Sequence, residues 1–127
     1  MKILIVDDDP VMQIALTKMT TSRGYDVTVS GDAETALVLC QDERYPLLII
    51  DWVLKDMDGL ELCRRIRALP DGDTSVIMAV TGRTEAEDLR AVLDAGFDDY
   101  LPKPIDRKLF NIRLTIAEER PGRNCQT

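Results

Sequence analysis

Asp7, Asp8 and Asp51 are the carboxylates of this chain best placed for metal-assisted chemistry, because each follows a short apolar run instead of lying in a polar stretch. Ile3-Leu4-Ile5-Val6 precedes Asp7-Asp8-Asp9, and Leu47-Leu48-Ile49-Ile50 precedes Asp51. Two further runs end in groups suited to holding an anion: Val76-Ile77-Met78-Ala79-Val80 before Thr81, and Tyr100-Leu101-Pro102 before Lys103. In an open parallel sheet, ligands bind outside the carboxyl ends of the strands, where the strand order reverses. The pattern therefore predicts four polar groups converging on one site.

Two carboxylates about 4 Å apart repel by roughly 4 kcal/mol at an effective dielectric of 20, so such a cluster calls for a cation. The chain has no histidine, and its cysteines lie away from these run ends, which disfavours zinc and copper. Carboxylate-plus-water coordination suits Mg²⁺, which completes its shell with phosphate oxygens. A carboxylate in that setting can attack phosphorus while the metal neutralises the transferring group. Asp51 stands alone after a wholly apolar run and is the better nucleophile; the adjacent Asp7 and Asp8 are better metal ligands. Thr81 offers a hydroxyl and Lys103 an ammonium, both of which pair more strongly as charge accumulates on the phosphoryl group.

The elements that position these residues alternate along the chain, as expected of βαβ units and a parallel sheet. Asp9 can cap a helix with Pro10 at its first position, whose apolar face is Met12, Ala15, Leu16 and Met19 before a stop at Gly24. Tyr25 to Val29 alternates as a second strand, and Ala33 to Gln41 carries Ala33, Ala36, Leu37 and Cys40 at helical spacing. The fully apolar Leu47 to Ile50 reads as the buried centre of the sheet. Gly59 to Ala68 has a Leu60, Cys63 and Ile66 stripe, followed by a Pro70-Asp71-Gly72-Asp73 loop. Thr84 and Glu87 have capping-box spacing for a helix through Leu89, Val92 and Leu93 to Gly96. Leu109, Ile112, Arg113 and Ile116 predict a last amphipathic helix from Asp106, broken by Arg120-Pro121-Gly122-Arg123. The expectation is one α/β domain over residues 1–119, doubly wound, with residues 120–127 a polar tail or linker stub.

Composition agrees with that class. A chain of 127 residues, 45% hydrophobic and 31% charged, suits one core, and no apolar stretch nears the roughly 20 residues of a membrane helix. The start MKILIVDDDP turns acidic at once, unlike a signal peptide, so a cytoplasmic protein with no membrane partner is expected. A formal net charge of −7 opposes direct nucleic-acid binding. Cys40, Cys63 and Cys125 are odd in number and widely spaced, which indicates neither a disulfide framework nor a zinc site. Cys40 and Cys63 are expected in the core and Cys125 as an exposed tail thiol.

Taken together, the acidic pair in IVDDDP, Asp51 in LLIIDWVLKDMDG, Thr81-Gly82, and Lys103-Pro104 in DYLPKPI resemble a response-regulator receiver domain of bacterial two-component signalling, of the CheY-like kind. The resemblance spans residues 1 to about 119. It implies a flavodoxin-like (βα)5 sandwich with a five-stranded parallel sheet in order 2-1-3-4-5. It implies that Asp51 accepts a phosphoryl group from a phosphohistidine, with Mg²⁺ held by Asp8 directly, Asp7 largely through water, Asp51, and the backbone carbonyl of Val53. Thr81 and Lys103 would meet the phosphate oxygens, the Lys103-Pro104 peptide would be cis, and Tyr100 would be the switch aromatic, turning inward as Thr81 moves. Implied partners are a sensor histidine kinase or phosphotransfer protein and a downstream effector protein or domain, with a phosphorylation-dependent dimer through the fourth and fifth helices left open. Such a protein is a signalling switch and not a turnover enzyme, although it would catalyse its own phosphorylation and dephosphorylation.

This chain departs from the family pattern in the loop after the acceptor, where Lys55 stands in place of the usual proline and Asp56 in place of a common glycine. Val53 and Arg83 flank the expected route of attacking water and cannot orient it as a carboxylate or amide would, which predicts a slowly hydrolysing phosphoaspartate. Plainer roles compete at several positions: Asp9 as a helix cap, Asp58-Gly59 as turn chemistry, Trp52 as a half-buried packing residue or a binding platform, and Arg64, Arg65 and Arg67 as a solvated face or an acidic-partner dock. A phosphohydrolase of the haloacid-dehalogenase type would use Asp7 as nucleophile, leaving Asp51 unexplained and needing a cap domain. A third reading is a pseudo-receiver acting only as a binding module, against which the intact acidic pair, acceptor, threonine and lysine argue.

Overall fold

The computed structural model describes residues 1–119. Five strands, β1 (Lys2–Val6), β2 (Asp26–Ser30), β3 (Leu47–Asp51), β4 (Val76–Thr81) and β5 (Asp99–Pro102), alternate with five helices. The helices are α1 (Pro10–Thr21), α2 (Ala33–Asp42), α3 (Gly59–Arg67), α4 (Ala86–Ala95) and α5 (Arg107–Glu119), with a short 3-10 turn at Gly72–Thr74. All strand pairs are parallel and the order is β2-β1-β3-β4-β5, the flavodoxin-like arrangement.

Period-two alternation explains the two-sided core. Ile3, Ile5, Leu47, Ile49, Met78, Val80 and Leu101 pack with Leu16 of α1 and with Phe110, Leu114 and Ala117 of α5. Leu4, Val6, Leu48, Ile50, Ile77 and Ala79 point the other way and pack with residues of α2, α3 and α4. Burial on both faces is why β3 and β4 read as continuous apolar runs. The strand order reverses between β1 and β3, which are hydrogen-bonded neighbours, so Asp7 and Asp51 leave the sheet side by side.

Local signals set most boundaries. Asp9, Asp32 and Asp58 cap α1, α2 and α3 by accepting from Val11, Thr35 and Leu60 amides. Gly96 ends α4 at φ 109°, a left-handed position that glycine adopts without steric penalty.

Several expectations are corrected. Strand β2 begins at Asp26, because the Tyr25 amide is spent on the Thr20 carbonyl in the turn that closes α1. The capping box at Thr84 and Glu87 does not form: α4 begins at Ala86, after Glu85, with no side-chain cap, in an exposed loop where solvent can reach the first-turn amides. The buried stripe of α5 is Phe110, Leu114 and Ala117, while Ile112 and Ile116 lie exposed on its outer side. Leu93 of α4 is likewise exposed. Cys63 is in the core but Cys40 is only half-buried. Arg64 and Arg65 are exposed and pair with Glu61, whereas Arg67 is not a solvated residue. It reaches inward to Asp98 at 2.8 Å and to the Gly72, Ser75 and Gly96 carbonyls, tying α3 to β4 and the start of β5. Cys125 and the break expected at Arg120-Pro121-Gly122-Arg123 lie outside the described residues.

Candidate functional site

Ligand oxygens of Asp7, Asp8 and Asp51 come within 4.8 Å of one another at the carboxyl ends of β1 and β3. Asp7 is 1% exposed and Asp51 4%, so their charges are poorly solvated. One Asp7 oxygen, Oδ1, accepts from the Asp9 amide at 2.9 Å. The other, Oδ2, is buried with no hydrogen-bond partner among the described residues. An unpaired buried carboxylate oxygen is expensive, and burial pushes the Asp7 carboxyl up to about 6, with the neighbouring Asp51 charge adding to the effect. A three-carboxylate, all-oxygen donor set with an orphaned buried oxygen fits a hard divalent cation of the Mg²⁺ type.

From the other side of the site, the Lys103 ammonium approaches both oxygens of Asp51, at 3.2 and 3.3 Å. Lys103 follows β5 directly, and its amide donates to the Thr81 carbonyl at 2.9 Å, so β4 positions it. The Lys103-Pro104 peptide is cis. The Val53 amide donates to Asp51 Oδ1 at 3.3 Å, and Val53 itself is exposed. Thr81 is the buried last residue of β4, and its hydroxyl is engaged with the backbone of Arg83. Tyr100 is half-buried on β5, with the Arg113 guanidinium 5.8 Å from its ring centre. Asp7, Asp8, Asp51, Thr81 and Lys103 thus gather at one end of the sheet.

Several supporting residues were not anticipated. Gln13 of α1 donates to the Asp7 carbonyl, bracing the acidic end of β1. Asp56 lies in the loop after the acceptor and accepts from the Ala33 and Glu34 amides at 3.0 Å each, which holds its carboxyl below the usual range and pins that loop to the start of α2. Gly59 admits no side chain, because a Cβ there would fall 2.3 Å from the Asp51 carbonyl oxygen. No residue spacing announces these contacts, since each depends on how a loop folds back against the end of a strand or the start of a helix. Asp9 and Asp58 serve as caps, and Trp52 is a buried packing residue at 5% exposure, more enclosed than the half-buried role expected of it.

The fold and site together define a parallel α/β domain with an acidic, lysine-capped site at the carboxyl ends of its strands. Residues 3–115 match the response regulator receiver domain, and the chain belongs to that family. Members of the family are signalling proteins, not turnover enzymes, and work with sensor kinases and downstream effectors. The chain is 44% identical over 106 residues to an uncharacterized 14.6 kDa protein in the sodA1 3′ region of Leptolyngbya boryana, covering 84% of this chain and 81% of that protein. It is 36% identical to the response regulator MprA of Mycobacterium avium, over all of this chain but 56% of that protein. The chain thus spans about half the length of the MprA relatives it matches.

Among solved structures, the receiver domain of the sensor histidine kinase PA1611 from Pseudomonas aeruginosa PAO1 superposes with a TM-score of 0.83 at 35% identity, covering 91% of this chain and 94% of that one. That structure holds a magnesium ion in its active-site cleft. The chemotaxis protein CheY4 of Vibrio cholerae shares the fold at a TM-score of 0.86 and 24% identity, covering 91% of this chain and 97% of that one. Among the described residues no helix is long and apolar enough to cross a membrane.

Proposed function

We propose that Asp51 is the phosphoryl acceptor of a cytoplasmic two-component switch comprising residues 1–119, with residues 120–127 a tail or linker. The observation that carries this reading is the position of the buried Asp51 carboxylate between two acidic neighbours and the Lys103 ammonium. In the transfer, an Asp51 oxygen attacks the phosphorus of a phosphohistidine on a sensor kinase or phosphotransfer protein. The P–N bond breaks, and its electron pair leaves with the donor imidazole. Asp7, Asp8, Asp51 and the Val53 carbonyl would hold Mg²⁺, which when bound supplies neutralisation of the charge on the transferring group. Thr81 and Lys103 donate to the phosphoryl oxygens, most strongly where charge builds up.

Phosphorylation adds close to two negative charges beside Lys103 and Thr81. Moving a two-state equilibrium from 1:99 to 99:1 takes about 5.5 kcal/mol of differential stabilisation, within reach of several new charge-assisted hydrogen bonds. Thr81 then turns toward the phosphate and Tyr100 inward, which reshapes the face of α4, β5 and α5 for a downstream effector protein or domain, or for a second copy of the chain. The exposed Leu93 of α4 and Ile112 and Ile116 of α5 support such a contact.

Intact mass after incubation with Mg²⁺ and acetyl phosphate tests the proposal. A single phosphoryl adduct that is lost in Asp51→Asn and on chelation supports it. Absence of an adduct under a cognate kinase as well leaves a binding module, and steady phosphate release that survives Asp51→Asn establishes a hydrolase acting through Asp7.

A further inference from the structure

Arg83 links the two strand ends of the site by two different means. Its guanidinium carbon lies 4.9 Å from the centre of the Trp52 ring, a cation–π distance, and Trp52 is the residue next to Asp51. Its backbone engages Thr81 reciprocally: the Arg83 amide donates to Thr81 Oγ1 at 2.8 Å, and that hydroxyl faces the Arg83 carbonyl at 3.4 Å. The Trp52 ring is a rigid seat. Its amide donates to the Val80 carbonyl at 3.1 Å, its carbonyl accepts from Gly59 at 2.7 Å, and its side chain is buried among Leu54 and Leu60. The remainder of the loop offers little anchorage, since Gly82, Thr84 and Glu85 are exposed and α4 begins without a side-chain cap.

We propose that Arg83 is a positioning residue, a latch that holds the Thr81 hydroxyl in its resting arrangement through the seat of the Arg83 side chain on Trp52. This rests on the reading of Asp51 as acceptor. A hydroxyl committed to the Arg83 backbone has to leave that turn before it donates to a phosphoryl oxygen on Asp51. The phosphoryl group and the latch therefore compete for one hydroxyl, and whatever the stack contributes to the resting state is subtracted from the switched one. Gly82, with no atom within 4 Å of a Cβ built on it, leaves room for the loop to swing when the latch opens.

Trp52 is the single tryptophan of the chain, so tryptophan emission comes from the stacked ring alone. The experiment compares the wild type with Arg83→Ala and Arg83→Lys, following tryptophan emission and intact mass during incubation with acetyl phosphate and Mg²⁺. The latch predicts that, with Mg²⁺ present throughout, wild-type emission changes as the adduct forms and that Arg83→Ala shows a smaller change. It predicts adduct formation about threefold faster in Arg83→Ala, the scale of an exposed cation–π contact, with Arg83→Lys restoring wild-type behaviour in part. Adduct formation in Arg83→Ala that is unchanged or slower overturns the latch while leaving Asp51 as acceptor intact. No adduct in the wild type under any donor overturns the acceptor reading and the latch with it.

Discussion

The Lys103 ammonium bridges both carboxylate oxygens of Asp51, 3.2 Å from one and 3.3 Å from the other, although the two residues are 52 positions apart. The pair joins the end of β3 to the first residue after β5, across β4. It neutralises part of the acidic cluster before any phosphoryl group arrives. Lys103→Met is therefore expected to fold, since the lysine side chain is 35% exposed, and to form the phospho-adduct roughly 100-fold more slowly, the usual loss when a preorganised donor is removed. A discontinuous mass assay with acetyl phosphate measures this.

Asp7 makes the metal-free protein sensitive to pH. Its folded-state value of about 6 lies above the ordinary 3.8, so between these values the native state binds more protons than the unfolded chain. Stability contributed by this group is complete below the lower value and is lost as pH rises through the upper one, amounting to roughly 3 kcal/mol. Thermal unfolding without divalent cations is expected to show a higher midpoint near pH 5 than near pH 7.5, and Asp7→Asn to flatten that difference. Added Mg²⁺ is expected to stabilise the protein more at the higher pH, where the carboxylate is already ionised.

Gly59 and Gly82 are both glycines near the acceptor, yet they differ sharply in what surrounds them. A Cβ at Gly59 would lie 2.3 Å from the Asp51 carbonyl oxygen and 2.9 Å from Trp52 Cα, and both obstacles are backbone. Gly59→Ala is expected to lose about 1–3 kcal/mol in urea unfolding, despite the better helix propensity of alanine, and to slow phosphorylation by displacing β3. Gly82→Ala meets no atom within 4 Å and is expected to stay within about 0.5 kcal/mol of the wild type.

Arg67 and Asp98 form an ion pair at 2.8 Å, with side chains only 9% and 5% exposed. Removing the guanidinium takes the countercharge from a buried carboxylate that keeps the Ile77 amide at 2.9 Å, and frees three carbonyls, so Arg67→Ala is expected to cost about 3 kcal/mol in equilibrium urea unfolding. Arg67→Lys is expected to recover only part, since one ammonium cannot replace a fork that serves Asp98 and three carbonyls together.

Alternation of apolar runs with helical stripes, the caps Asp9 and Asp58, and polar residues at run ends were enough to predict a parallel α/β sheet and the convergence of Asp7, Asp8, Asp51, Thr81 and Lys103, whereas the strand order came from the family resemblance alone. These signals are local or periodic, and a parallel sheet converts them into position because all its strands end on the same side. Tertiary structure decided which charged residues are solvated and which are structural. Arg64 and Arg67 lie on the same short helix, yet only Arg67 finds Asp98 and the carbonyls of the adjoining turn. It also decided that Phe110 and not Ile112 faces the sheet, that Asp56 fastens the acceptor loop to α2, and that Arg83 sits on Trp52. Each of these depends on the distance between segments far apart in sequence, and such distances follow from packing against the sheet, not from the spacing of residues along the chain.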